Sequence, residues 1–330
     1  MSRMVIDQGG LDSCTLRPSD VAGFNERLKQ TDMALEDPFD SLWVMHKIIY
    51  LAARERGHLA MMSGIDGDGL ASLTNSYPVY LLRDGRWLTA NSEIMGMRRN
   101  FGRAGYPLWR IYADVLRAIL VPDVASRIKH KLSVPNFDWM NKQFFINPDF
   151  AASQDLPARW LENFRAGNPN QYHTLRQAHV ARMTAAYLTA GSERYGRLAA
   201  ICGVEQRLPL LDKRLVEFCI SLPWQQKVHG GWSKIGMRRV AQRMLPHEVA
   251  WRQARDQIMW KFWSAWDELN RDANRHDIET LGNHRLLVKF IDRQQLAGAE
   301  SCAIIDGSLE REILLGLAVL GEWLARNQLK

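Results

Sequence analysis

Between Asp40 and Arg56 the apolar residues Leu42, Val44, Met45, Ile48, Ile49, Leu51 and Ala52 fall mostly three and four apart. This spacing predicts a helix buried along one broad face, ended by Gly57. His58 to Met62 follows as a short apolar segment, expected to be a strand, and runs into Ser63-Gly64-Ile65-Asp66-Gly67-Asp68-Gly69. The order is helix, strand, loop, with the loop at the carboxyl end of the strand, where open α/β sheets bind their ligands. Beyond Trp87 strand signals are scarce. Helical patterns dominate there: Leu108 to Leu120, Leu175 to Thr189, Arg214 to Leu222, Ser233 to Met244 and Arg311 to Ala325. Pro122, Pro135, Pro148, Pro157 and Pro169 punctuate a turn-rich stretch expected to serve as a flexible connection or lid. With no internal repeat or low-complexity tract, the pattern predicts a helix-rich α/β domain whose second half is mainly helical.

Composition narrows the class. The 330 residues are 46% apolar and 24% charged, with 12 prolines, which excludes disordered and collagen-like chains. Cys14, Cys202, Cys219 and Cys302 show no CxxC spacing and no zinc-ligand spacing with histidine. They read as small core residues of a protein in a reducing compartment. Neither the segment Met1 to Gly10 nor the apolar run Ile313 to Leu320 has the length of a signal peptide core or a membrane span, so a cytoplasmic location is expected and a membrane partner is not. The formal charge of +7 is spread along the chain and reads as a solvated basic surface. Its densest clusters are Arg98 with Arg99, Arg238 with Arg239, and Arg127, Lys129 and Lys131. None is interleaved with aromatics as single-strand readers require, so nucleic acid is not the expected partner.

Three segments could carry chemistry. The loop Ser63 to Gly69 holds one hydroxyl, two carboxylates and three glycines. Glycines let backbone N–H groups approach an anion, and carboxylates two apart can share a divalent ion that neutralises phosphates; the same residues equally suit a glycine-rich turn with solvated aspartates. A calcium loop of the EF-hand type is excluded because no glutamate stands at the closing position. The second segment, Gly203 to Asp212, precedes an amphipathic helix with Leu215, Phe218, Cys219 and Leu222 on one face. Asp212 is placed to cap that helix, and Pro209 to fix an extended approach to it. Glu205 and Arg207, two apart, would project to the same side of an extended segment, either as a plain ion pair or to orient a substrate ammonium or carboxylate. In the third, Gly230-Gly231-Trp232-Ser233-Lys234 opens a helix. A lysine in a first turn opposes the helix dipole and asks for a nearby anion.

These segments, in this order, resemble the carboxyl-terminal synthetase domain of the asparagine synthetase family, which includes β-lactam synthetase and lasso-peptide cyclases. The Ser63-Gly64 loop with Asp68 is similar to the family's second nucleotide loop, and Glu205-Gln206-Arg207-Leu208-Pro209-Leu210-Leu211-Asp212 to its Glu-x-Arg-x-Pro-x-Leu-Asp signature. Leu215 to Lys227 continues that signature, and Gly230 to Arg238 resembles the Gly-x-x-Lys helix start. Leu245-Pro246-His247-Glu248-Val249 with Arg252, and upstream Glu36-Asp37-Pro38-Phe39, complete a likeness covering roughly Asp32 to Leu324. The division it implies is an amino-terminal remnant, 1–31, and a synthetase domain, 32–330.

The resemblance implies a truncated parallel sheet of the adenine-nucleotide α-hydrolase (PP-loop) type and ATP-dependent carboxyl activation. A substrate carboxylate attacks the α-phosphorus of ATP, giving an acyl-adenylate and pyrophosphate, and an amine or ammonia displaces AMP to form an amide. By motif position Ser63, Gly64 and Asp66 would contact the nucleotide and Asp68 would hold Mg²⁺-pyrophosphate. Lys234 would stabilise developing charge, and Glu205 would belong to the acceptor side. The carboxylate could be borne by a small molecule or a peptide. Two other classes fit the same residues: a degenerate, non-catalytic nucleotide-binding or scaffold protein, and an RNA-modifying relative that adenylates a base.

The chain also departs from the family. For the first phosphate loop, Ser-Gly-Gly-x-Asp-Ser, the candidate is Gln8-Gly9-Gly10-Leu11-Asp12-Ser13, preceded by little more than Met4, Val5 and Ile6 as a strand and followed by Pro18 where a helix should continue. The expectation is therefore a chain that begins inside the synthetase domain, lacking the glutaminase domain and the first phosphate loop, with a second polypeptide able to supply either. Ile65 and Gly69 stand where the family usually has acidic residues; Asp66 can compensate for the first and nothing for the second.

Overall fold

The computed structural model describes residues 2–73, 77–102, 112, 145–166, 172–253, 258–300 and 309–327. The expected helix from Leu108 to Leu120, Tyr112 excepted, lies outside them, as do Arg127, Lys129, Lys131, Pro122, Pro135, Pro169 and Cys302.

The architecture is helix-rich around a small parallel pair of strands. In chain order the elements used below are α1 (Ser2–Gly9), α2 (Val21–Met33), α3 (Val44–Glu55), β1 (Ala60–Met62), α4 (Gly67–Ala71), α5 (Tyr77–Arg83) and α6 (Trp87–Phe101). They continue with α7 (Leu175–Met183), α8 (Ala186–Ile201), β2 (Glu205–Arg207), α9 (Lys213–Ser221), β3 (Val228–His229), β4 (Trp232–Ser233), α10 (Ile235–Ala241), α11 (Met259–Leu269), α12 (Arg271–Thr280) and α13 (Leu309–Arg326). Strands β1 and β2 pair in parallel, Ala60 opposite Glu205 and Met62 opposite Arg207, while β3 and β4 form a short antiparallel hairpin.

One local device delivers both parallel strands. Helix α3 ends at Gly57, whose φ of 82° only glycine adopts without strain, and the N–H groups of Gly57 and His58 return to the carbonyls of Arg54 and Ala53, each at 3.0 Å. Helix α8 ends the same way: Gly203 has φ 73°, and the N–H groups of Gly203 and Val204 return to Ala200 and Ala199, each at 2.9 Å. Each cap turns the chain directly into a strand, and the two strands lie side by side.

The main core joins α2, α3, α8 and α11 to α13 through Leu28, Ile48, Leu51, Leu198, Val204, Phe262 and Leu314. A second cluster, Leu73, Tyr77, Leu81, Ala90, Met97 and Val228, packs α5 and α6 against β3. The buried charges Asp40, Lys47, Asp267 and Arg311 are paired. Lys47 reaches Asp32 and the Ser41 carbonyl, Arg311 grips Asp267 at 2.6 and 2.8 Å, and Arg194 and Arg197 both hold Asp40.

Residues 2–9 are helix α1, so no strand precedes Gly9-Gly10, in line with the expected lack of a first phosphate loop; three apolar residues without a neighbouring strand satisfy their backbone groups locally instead. Other expectations change. The stretch Leu175 to Thr189 is two helices, divided at Ala185, whose backbone is extended. Ser233 belongs to β4, and Lys234 sits in the left-handed region (φ 60°) as the residue before α10 rather than inside its first turn. Pro209 starts a 3₁₀ turn, Pro209–Leu211, rather than an extended approach. On α9, Phe218 faces solvent, whereas Leu215, Val216, Cys219 and Ile220 are half-buried. Cys202 is buried as expected, but Cys14 is exposed.

Candidate active site

The loop after β1 is fixed at its first residue: the Ser63 N–H donates to the Arg207 carbonyl at 3.0 Å, extending the parallel ladder by one step. Ser63 Oγ then accepts from the Ile65 N–H at 3.3 Å, and the Gly67 N–H donates to the Gly64 carbonyl at 3.3 Å. Asp66 adopts φ 63°, a left-handed conformation that aspartate tolerates better than most residues, and its carbonyl receives the N–H groups of Gly69 and Leu70. The chain thereby turns from strand to helix within four residues. Gly64 is exposed with open space about it, so its backbone is accessible to an anion. At Gly67 an added Cβ would lie 2.6 Å from Leu210 Cδ1, so that side chain would have to move.

Asp68 stands in the first turn of α4, where the helix dipole favours a carboxylate. Its Oδ1 accepts a hydrogen bond from Lys234 Nζ, an ion pair between residues 166 apart in sequence. The anion that the lysine's position requires is thus Asp68, and the second nucleotide-loop segment and the Gly-x-x-Lys segment meet at one place.

Lys234 is presented by a hairpin that α6 grips from behind. Glu93, only 4% exposed, accepts from the N–H groups of Gly230 (3.0 Å) and Gly231 (2.8 Å) and from the Tyr77 hydroxyl (2.8 Å). Both glycines have positive φ, and successive N–H groups in that conformation form a concave anion nest, filled here by a side chain of the protein itself. Asn100 Nδ2 donates to the Gly230 carbonyl at 3.0 Å. Gly96 and Gly231 approach so closely that a Cβ on either would strike the other's backbone. Arg238, stacked over Trp232 and bonded to the carbonyls of Ser233 and Ala250, fixes the start of α10.

Glu205 and Arg207 project to the same side of β2 and form a two-point pair at 3.0 and 3.2 Å, both well exposed. The guanidinium holds the Glu205 carboxyl below its usual range. Glu205 lies at the amino end of β2, while Arg207 stands at the carboxyl edge beside Ser63. Asp212 caps α9 as expected, its Oδ1 accepting from the Arg214 N–H at 2.9 Å, and the hydrogen-bonded Arg214 pulls its carboxyl down to about 2. Burial pushes the Asp66 carboxyl up. Burial and then the Asp66 charge raise Tyr195, which sits in an aromatic group with Trp43 and His46.

Glu93 and His179 support the hairpin and the loop without a sequence signal, whereas Lys227 ends the Leu215 to Lys227 segment that continues the signature. Each of the first two is a single polar residue in a helical pattern, and only the fold brings it to its partners. A cavity of about 430 Å³ lies elsewhere, between α3, β1 and Asp12 to Leu16; none of Ser63, Gly64, Asp66, Asp68, Glu205 and Lys234 lines it, whereas Asp12 of the candidate first phosphate loop does.

Among the described residues no group of three or more His, Cys, Asp or Glu forms a metal cage. Mg²⁺ does not need one: one or two carboxylates and the phosphates of its nucleotide suffice, and Asp66 and Asp68 fit that donor set. No helix among the described residues is long and apolar enough to cross a membrane.

A family model described as asparagine synthase matches residues 2–301. The Asparagine synthetase [glutamine-hydrolyzing] 3 of Bacillus subtilis (strain 168) is 30% identical over 67 residues, a match spanning 20% of this chain and 11% of that relative. No solved structure matches significantly. With the family model covering most of its length and Asp68 and Lys234 in contact, the chain belongs to the asparagine synthase family, a family of ATP-dependent amide ligases.

Proposed function

We propose that this chain forms amide bonds through an acyl-adenylate, in the cytoplasm, with ATP and Mg²⁺ bound at the turn after β1. The observation that carries the reading is the Asp68–Lys234 ion pair on the carboxyl edge of a parallel strand pair. Ser63 and the open backbone at Gly64 would receive the nucleotide. Asp66 and Asp68 would hold Mg²⁺, which supplies neutralisation of phosphate charge. Lys234, paired with Asp68 here, would turn its ammonium toward the charge developing on the leaving pyrophosphate. Glu205 fixes the guanidinium of Arg207, and this pair would form the acceptor side, facing the carboxylate of a small molecule or peptide. The ammonia or the first phosphate loop could come from a second polypeptide.

Helix α1 in place of a strand before Gly9, and the absence of a carboxylate at Gly69, favour a second reading: a nucleotide-binding scaffold without catalysis. Pyrophosphate exchange into ATP, measured across a panel of carboxylates, separates the two. Exchange that falls about 10²- to 10³-fold in Lys234→Ala, and is unchanged in the surface variant Lys29→Ala, supports ligation. Mg·ATP binding by calorimetry without exchange under any carboxylate supports the scaffold, and the absence of both removes the nucleotide reading.

A further inference from the structure

His179, on α7, is 2% exposed and stands between the two halves of the site. Its Nε2 lies 3.2 Å from the carbonyl of Gly69, the residue after Asp68, and its Nδ1 lies 3.0 Å from Lys227 Nζ. A carbonyl only accepts, so Nε2 carries the proton and Nδ1 is the acceptor for the lysine ammonium. Lys227 is 4% exposed; its Nζ also donates to the Ile220 carbonyl at 3.2 Å, and its own carbonyl accepts from the Ile235 N–H at 3.1 Å, next to Lys234. A continuous path therefore runs from Gly69 through His179 and Lys227 to the backbone at Lys234 and Ile235. Among the described residues, the further charged groups acting on this pair are Arg176 and Arg182, with the Cys219 thiol beside Lys227. None is a carboxylate, and a buried ammonium held by an imidazole and a carbonyl is an expensive arrangement to keep for packing alone.

We infer that His179 and Lys227 are positioning residues that set the spacing between Asp68 and Lys234, acting through the Gly69 carbonyl and the Lys227 backbone. The inference rests on the proposed site but not on its chemistry. Helix α4 is short, and Asp68 is exposed while Gly67, Gly69 and Leu70 on either side of it are buried, so its distance from Lys234 depends on what ties down the buried side of α4. His179 is that tie: with both ring nitrogens engaged, the imidazole can neither rotate nor shift without breaking a buried bond on one side or the other.

The test uses the full chain and a zero-length carbodiimide, which couples a carboxylate to an amine only when they touch. In the wild type, mass spectrometry should find the Asp68–Lys234 amide cross-link in high yield. His179→Gln keeps a donor for Gly69 but misplaces the acceptor for Lys227, and should lower that yield about tenfold while the Arg311–Asp267 core keeps the fold. Lys227→Arg keeps a donor for His179 and should restore most of the yield that Lys227→Met loses. Thermal unfolding confirms which variants are folded, and amide hydrogen exchange at Gly69, Leu70 and Ile235 serves any variant of low stability, with faster exchange at all three positions expected. Unchanged cross-linking and exchange in folded His179→Gln would overturn the inference.

A parallel Mg·ATP titration keeps the two proposals apart. If the wild type binds nucleotide, His179→Gln and Lys234→Ala should each weaken binding and their double variant should lose no more than the worse single; fully multiplied losses would again overturn the positioning role. If the wild type binds no nucleotide, the functional reading fails while the cross-link still decides the geometry.

Discussion

Two residues of the candidate site, Asp66 and Lys234, occupy left-handed backbone, with φ of 63° and 60°. For residues other than glycine each costs on the order of 1 kcal/mol, held in place by the surrounding bonds. Lys234→Gly should therefore raise the free energy of unfolding by up to about 1 kcal/mol in urea titration while removing pyrophosphate exchange, so stability and activity move in opposite directions. Glu93→Gln should do the reverse at the hairpin: with one carboxylate oxygen replaced by an N–H donor facing Gly230 or Gly231, a loss of about 1–3 kcal/mol and faster amide exchange at those two glycines are expected. The lysine was legible in the sequence because a Gly-Gly turn, a helix start and a misplaced positive charge coincide there. Glu93 and His179 were not, because a lone buried polar residue leaves no spacing to read and gains its meaning only from partners 137 and 110 positions away.

At the level of elements, helix α3 (Val44–Glu55, within the expected span Asp40 to Arg56, whose first residues form a 3₁₀ turn), the strand at 60–62 and the start of α9 followed from period and capping chemistry alone. These features are local, so the sequence within a few residues determines them. The failures were equally physical. The Leu175 to Thr189 stretch carries the right residue types for one helix, but the backbone is extended at Ala185, which caps the start of a second helix. The matched ends of α3 and α8 give a clean test. Gly57 has open space where a Cβ would go, so Gly57→Ala isolates the conformational cost of positive φ and should destabilise by about 1 kcal/mol in chemical denaturation. Gly203→Ala should cost more, because its Cβ would also crowd Arg54 Nε at 3.3 Å.

Across the whole molecule, stability should depend on pH through two histidines kept neutral inside it. Burial, aided by the Lys227 charge, lowers His179 from 6.5 to about 4, and burial lowers His46 to about 4. The unfolded chain therefore binds more protons between these values, so the unfolding free energy should be flat from pH 8 to 7 and fall progressively from pH 6.5 toward 4. Lys227, lowered to about 8 chiefly by burial, adds a rise in stability from pH 8 to 10.5. Urea midpoints measured across that range check both limbs, and His179→Gln should flatten the acid limb. The global arrangement was the least legible level, since the meeting of Asp68 with Lys234 depends on helices that no motif announces. The contact between Gly96 and Gly231 has a consequence of that kind. Because neither position admits any side chain, a distant relative that has lost every charged group of the nucleotide loop must still carry both glycines to fold this way, so the spaced pair offers a fingerprint for tracing inactive descendants of the lineage.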